Sequence, residues 1–488
     1  MNSKNPQTAI QQSRPRTLRA RLATVRRTRW IRFGIFSLIF ILWSVWLGNF
    51  WVLLLYPLFF DIYLTQYIPW GAWKRVKNPV VRTIAEWVDA IVYALVLVYF
   101  IFIFLFQNFQ IPTPSLEKSM LVGDFLLVSK VHYGPRVPQT PLHFPLTQHT
   151  LPIVNTKSYI ESVQWPYHRL KGLRNIERND IVVFNFPAGD TVASSMPNPD
   201  YYTLAYYYGR EALQRDKARF GEIIYRPVDR REAYVKRCIG LPGETFEMHD
   251  NVVYIDGKAI EQPTKMQLNY FVKTDGTMIN DKTFESWGVS IDDRVYTNNS
   301  SNAPFIYARL GIQPENNGSY NPVYHMPLTQ EALAKVKASS FVTQVIAEPG
   351  DFGGDVFPLD TLHHWTRADF GPLWIPRKGA TLHLTPENYT LYERAIRNYE
   401  GNTIDMRNGT IYINGEPTNE YTFKMDYYIM LGDNRDNSAD SRYWGLVPED
   451  HIIGTPILVL ISLDKDKGWF SGKFRFDRFM RPVESLVK

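Results

Sequence analysis

Hydrophobic and polar positions split the chain into two regimes. Residues 33–60 carry no charged side chain, and a second apolar run covers about 90–106. A membrane-crossing helix needs about 17–25 apolar residues, so both runs belong in a bilayer rather than in a soluble core. Downstream the pattern changes to short alternating stretches bounded by turn residues: 180–186, 251–258, 381–385 and 409–416, with ILVLIS at 457–462. Such alternation predicts β-strands. Asp256-Gly257 and Asn414-Gly415 predict tight hairpin turns, because a type I′ turn needs positive φ at both central residues. Two helices are predicted, over 202–218 and 386–400. The second has Thr385 as its cap, Pro386 at its first position and Gly401 as its stop.

Charge fixes which way the apolar runs cross. The net charge of +6 is concentrated at one end, with nine basic residues in the first 32 positions and no acid before Asp61. Taking those nine away leaves −3 for the remainder, which argues against a nucleic-acid partner. Residues 74–82 hold Lys74, Arg75, Lys77 and Arg82 with no acid. Basic loops stay cytoplasmic, so the N-terminus and this loop share a side. The apolar stretch between them then goes in and returns, turning at Gly48-Asn49, and the run at 90–106 crosses once more. The predicted layout is a basic cytoplasmic tail (1–32), an apolar transmembrane hairpin (33–69), a basic cytoplasmic loop (70–86) and a transmembrane helix (87–107). A catalytic β domain (108–245 and 409–488) follows outside the cytoplasm, interrupted by a β-rich insertion (246–408). The 488 residues give room for about three units. The lone Cys238 excludes an intrachain disulfide and a CxxC zinc site.

Three stretches are unusual for a structural β domain. They are Ile111-Pro112-Thr113-Pro114-Ser115-Leu116-Glu117-Lys118-Ser119-Met120, then Tyr234-Val235-Lys236-Arg237-Cys238-Ile239-Gly240, and Gly432-Asp433-Asn434-Arg435-Asp436-Asn437-Ser438-Ala439-Asp440-Ser441-Arg442. Ser115 follows the last apolar run closely, so it lies near the membrane surface. The third stretch is not a calcium loop: counting from Asp433, positions three and twelve are Arg435 and Trp444, which cannot ligate calcium.

Together with Asn179–Phe184, these stretches resemble the bacterial type I signal peptidases, membrane-anchored Ser/Lys proteases that cut leader peptides off exported proteins. The regions 138–175, 187–230 and 246–408 carry no motif of that family. The resemblance implies Ser115 as nucleophile and Lys236 as general base. It implies Thr113 as oxyanion donor, Ser438 as the residue orienting the lysine, and Asp433, Asp440 and Arg442 as braces. Phe109, Ile111, Leu116, Met120, Tyr234 and Val235 match substrate-pocket positions, which take small residues one and three positions before the cut. The chain has Leu116 where the family has Met, a volume-conserving change. Pro114 stands where the family has a small residue and biases Thr113 towards an extended conformation. The implied protein is multi-pass in the bacterial inner membrane, its catalytic domain extracytoplasmic, its partners the lipid bilayer and the signal peptides of exported preproteins. No metal or cofactor is expected, and the oligomeric state stays open.

The residues support this chemistry directly. A serine hydroxyl needs a base in hydrogen-bond reach, and no GxSxG elbow or histidine triad is present. Lysine serves as a base only when neutral, which burial favours. Strand alternation puts Lys236 on one face with Tyr234 and Cys238 and turns Arg237 to the other. Two other classes stay open: a non-catalytic anchored β domain that binds peptides, and a metal-dependent hydrolase using His363-His364.

Overall fold

The computed structural model describes residues 17–48, 50–151, 154 and 156–487. The first sixteen residues of the basic tail and Asn49 of the expected turn lie outside the described residues. The chain is mainly β, with two N-terminal helices long and apolar enough to cross a membrane. It divides after Phe100 into two compact units.

In the first unit, helix α1 (Arg27–Leu47) ends at Gly48, whose φ of 67° is the left-handed conformation that glycine adopts without a side-chain clash. The chain then doubles back through a 3₁₀ stretch (Phe50–Leu55), one α turn (Tyr56–Phe60) and a π turn (Asp61–Thr65). Tyr56 donates to Ser37 Oγ at 2.8 Å, and the Phe36 and Phe59 rings pack at 4.5 Å. Arg21 reaches the Thr65 and Gln66 carbonyls, both at 3.2 Å, so the second leg returns to the level where α1 begins. The 3₁₀ residues rise about 2.0 Å each instead of about 1.5 Å, which lets a short leg cover much of the helix's length. Helix α2 (Pro79–Phe104) starts eight residues earlier than expected. Asn78 caps it, accepting from Val80 N at 3.0 Å, and Pro79 takes the first position.

The second unit is built on one antiparallel sheet. Its strands are β1 (Phe106–Gln110), β2 (Asp124–Ser129), β3 (Ile181–Asn185), β4 (Ala233–Gly240), β5 (Tyr427–Leu431), β6 (Val447–Pro448), β7 (Ile452–Ser462) and β8 (Arg481–Pro482). Their spatial order is β1-β2-β7-β3-β4-β5-β6, with β8 paired to β7. In this register Lys236 lies opposite Val182, and Leu431 at the end of β5 lies opposite Arg237. The loop that starts at Gly432 therefore leaves the sheet beside Lys236.

The segment 246–408 is not uniform. The meander Thr245–His249, Val252–Ile255, Lys258–Ala259 pairs with Phe370–Trp374. Its Phe246 and Met248 share one core with Ile239, Ile429 and Leu431 of the main sheet. The expected boundaries at 245/246 and 408/409 run through that shared core. Residues 267–347 instead form their own four-stranded sheet around Gln267–Thr274 with a separate apolar cluster that includes Tyr270, Phe284 and Tyr324.

Both tight turns have the predicted geometry: φ is 50° and 73° at Asp256-Gly257, and 53° and 87° at Asn414-Gly415. The two predicted helices are shorter than expected. Gly209 and Asp216 break the first into Tyr201–Tyr208, Arg210–Arg215 and Lys217–Phe220. The second begins at Tyr389, because Thr385 and Asn388 bond reciprocally (Thr385 N to Asn388 Oδ1, 2.9 Å) and close a turn before the helix.

Candidate active site

The nucleophile candidate sits on a turn that proline sets. Thr113 is extended (φ −126°, ψ 153°), as a residue before proline prefers, and Pro114 opens a single 3₁₀ turn, Pro114–Leu116. Ser115 is thereby held in a buried position. Asn434 clamps this turn from the opposite loop: its N–H donates to Ser115 O at 3.1 Å and its Nδ2 to Pro114 O at 3.2 Å. Gly432 makes that approach possible, since a Cβ there would stand 2.6 Å from Ser115 O and 2.5 Å from Ser438 Cβ.

Lys236 comes from the middle of β4, and its Nζ lies 2.7 Å from Ser115 Oγ. It is 3% exposed. Burial lowers its pKa from 10.5 to about 8; Asp440 and Asp433 oppose the shift and Arg442 adds to it. The neighbouring Arg237 points away and forms a bidentate pair with Asp433 (2.8 and 2.6 Å), which also accepts from Ser119 Oγ at 2.5 Å. Arg442 grips both oxygens of Asp440 at 2.8 Å, and Gly432 N donates to Asp440 at 3.1 Å. Burial works to raise the Asp440 pKa, but the Arg442 charge and these bonds hold it below the usual carboxylate range. Cys238 is buried, and burial pushes its thiol pKa up, which leaves it a packing residue.

The remaining expected site residues divide. Ile111, Leu116, Met120 and the partly buried Phe109 and Val235 gather in one apolar cluster beside Ser115. Tyr234 does not join it. Alternation turns its ring to the other face, where it stacks on Phe186 at 4.6 Å and meets Trp444 edge-on at 5.5 Å. Ser438 makes no bond to Lys236; its hydroxyl faces Ala439 O at 3.5 Å, at the limit of a hydrogen bond. Thr113 is exposed, and its hydroxyl caps nothing. His363 is engaged by Asp360 (Nδ1 to Oδ2, 2.8 Å). Among the described residues no cluster of three or more His, Cys, Asp or Glu side chains is arranged to hold a metal ion.

Sequence reasoning missed the braces from the segment 246–408. Asn269 N donates to Asp436 at 2.8 Å, and Asn269 Nδ2 donates to Glu348 at 2.8 Å. Arg367 lies between Glu348 (3.2 Å) and Asp436 (3.1 Å) and lends its carbonyl to Arg442 at 3.1 Å. Asn434 was within reach, because it belongs to the Gly432–Arg442 stretch. Asn269 and Arg367 had no signal, since only the folded chain brings them to that loop.

A family model described as signal peptidase, peptidase S26, matches residues 84–299 and 420–461. The chain belongs to this family. It is a serine peptidase, and the matched segments contain Ser115, Lys236 and the whole Gly432–Arg442 loop. Among curated proteins it is similar to the Signal peptidase I of Buchnera aphidicola subsp. Acyrthosiphon pisum, 23% identical over 382 residues, covering 77% of this chain and 74% of the relative. The Signal peptidase I of Haemophilus influenzae is 23% identical over 412 residues, 84% of this chain and 79% of the relative. A shorter match, 34% over 82 residues, links it to the Signal peptidase I of Helicobacter pylori, 17% of this chain and 28% of the relative.

Proposed function

We propose that the protein is a membrane-bound endopeptidase that removes signal peptides from exported preproteins, with Ser115 as nucleophile and Lys236 as its base. The observation that carries this reading is the 2.7 Å approach of Lys236 Nζ to Ser115 Oγ in a site whose burial favours neutral lysine. Neutral Lys236 takes the Ser115 hydroxyl proton as Oγ bonds to the scissile carbonyl carbon. The negative charge passes to the carbonyl oxygen. The tetrahedral centre collapses, the C–N bond breaks, and Lys236 returns the proton to the departing amine. Water then attacks the ester carbonyl and gives its proton to Lys236; the second tetrahedral centre collapses, the acyl–Oγ bond breaks, and Lys236 returns the proton to Ser115 Oγ as the acid product leaves. The donors for the oxyanion are the Thr113 hydroxyl and the Ser115 N–H, which lies in the first turn of a helical segment where N–H groups lack intrahelical acceptors.

The extended Thr113 supports binding of the substrate as an added strand, with main-chain bonds giving affinity and pockets giving specificity. The cluster of Phe109, Ile111, Leu116, Met120 and Val235 would take the small residues before the cut. Residues 33–69 would enter and leave the bilayer from the cytoplasmic side, and α2 would carry the chain across to put residues 108–488 outside. The return of the second leg to Arg21 supports that path. The test is cleavage of a preprotein by the detergent-solubilised protein. Ser115→Ala, Lys236→Ala and Lys236→Arg should each abolish cleavage while the protein still melts in one cooperative transition, the arginine variant because guanidinium does not lose its proton at usable pH. Substantial activity in any of the three contradicts the assignment.

A further inference from the structure

A cavity of about 530 Å³ opens on the face of β4 opposite the Val235 cluster. Its inner wall belongs to the motif segments: Tyr234, two residues before Lys236, together with Ala439 and Trp444 from the loop after β5. The Tyr234 ring centre is 5.5 Å from Lys236 Nζ, so the cavity begins where the reacting groups end. Its outer wall comes from stretches that carry no family motif, 187–207 and 353–355. Two of these meet at the rim, where Tyr207 donates to Asp355 at 2.6 Å.

The lining has a definite chemistry. The inner wall is aromatic, with Phe186, Tyr234 and Trp444 in mutual contact. The lining holds three carboxylates, Asp200, Glu232 and Asp355, and none of the described lining residues is basic. Glu232 is paired with Arg226, and Asp200 caps the helix Tyr201–Tyr208. Asp355 is exposed at the rim, where it accepts a hydrogen bond from the neutral Tyr207 hydroxyl. A long side chain with an apolar stem and a positive tip fits this arrangement, its stem along the rings and its charge at the rim.

Strand geometry says which substrate residue arrives there. In an extended chain, successive side chains alternate between faces. If the residues one and three before the cut enter the Val235 side, the second residue before the cut and the first after it turn towards Tyr234. We propose that this cavity is a specificity subsite that selects lysine or arginine at the second position before, or the first position after, the scissile bond. The inference rests on the reading of Ser115 and Lys236 as the reacting pair.

The test uses the full-length protein in detergent micelles and signal-peptide-derived peptides that carry Lys, Ala or Glu at one position at a time, from four before the cut to two after. At the second position before or the first after, kcat/KM for Lys should exceed that for Glu by about tenfold, since attraction for one and repulsion for the other both count at a partly exposed charge. Asp355→Asn should compress that ratio, and Asp355→Lys should invert it. A flat response at both positions overturns the subsite, as does a charge preference confined to the first or third position before the cut, or a ratio that neither Asp355 variant moves. If no peptide of any composition is cleaved, the reading of the reacting pair falls and the subsite falls with it; cleavage without charge preference removes the subsite alone.

Discussion

Protonating Lys236 should switch the protein off, and the structure sets where on the pH scale that happens. With the ordinary pKa of 10.5, about three in ten thousand lysine side chains are neutral at pH 7; with a pKa of about 8, roughly one in eleven is. Burial of this side chain therefore raises its neutral fraction at pH 7 about 300-fold. The kcat/KM for a fluorogenic signal-peptide substrate should rise tenfold per pH unit on the acid side, bend near pH 8 and level off above pH 9. The neighbouring groups leave that window clear. The paired Asp440 stays ionised throughout. The assay is an initial-rate series at fixed ionic strength. A bend near 6.5, where histidine titrates, or a bend near 10.5 would refute the reasoning.

Thr113→Val should lower kcat by about 10² to 10³, the usual value of one oxyanion donor, while Thr113→Ser keeps most activity; steady-state kinetics decide, and a Val variant within a few-fold of wild type leaves Thr113 a shaping residue only. Gly432→Ala should abolish cleavage, because its Cβ would sit 2.6 Å from the Ser115 carbonyl and push the nucleophile turn off the Asn434 clamp; wild-type kcat/KM in that variant contradicts the clamp. Arg367→Met strands the buried partners Glu348 and Asp436 and should cost about 3–5 kcal/mol in denaturant unfolding; a loss under 1 kcal/mol would mean the segment 246–408 does not brace the loop. Lys236→Met should stabilise the protein more at pH 6 than at pH 9. A lysine whose folded pKa is lowered burdens the fold in full below about 8 and progressively less as pH rises towards 10.5, a difference of about 1 kcal/mol between those two pH values. Equal melting shifts at both pH values would contradict it.

Much of the geometry of the candidate site is legible in the sequence, for a local reason. Pro114 acts on its neighbour Thr113, alternation acts on adjacent strand residues, and the Gly432–Arg442 loop closes on itself through Asp440 and Arg442. The same alternation that separates Lys236 from Arg237 also separates Tyr234 from Val235, so the two side chains line opposite faces rather than one pocket. Long-range features were hidden. Asn269 and Arg367 are 167 and 69 positions away in sequence from Asp436, and no spacing rule connects them. Helix lengths failed where a single glycine or a reciprocal side-chain turn outweighed the apolar periodicity, at Gly209 and at Thr385-Asn388.

The central claim is that Ser115 carries the acyl group, and the most direct measurement is to catch it there. A peptide ester ending in small residues acylates faster than it deacylates, so acid-quenched protein analysed by mass spectrometry should gain the mass of the acyl fragment. Proteolysis should then place that mass on the peptide containing Ser115, with no adduct in Ser115→Ala and a strongly slowed one in Lys236→Ala. An adduct on another residue, or turnover of the ester by Ser115→Ala at the wild-type rate, would contradict the account.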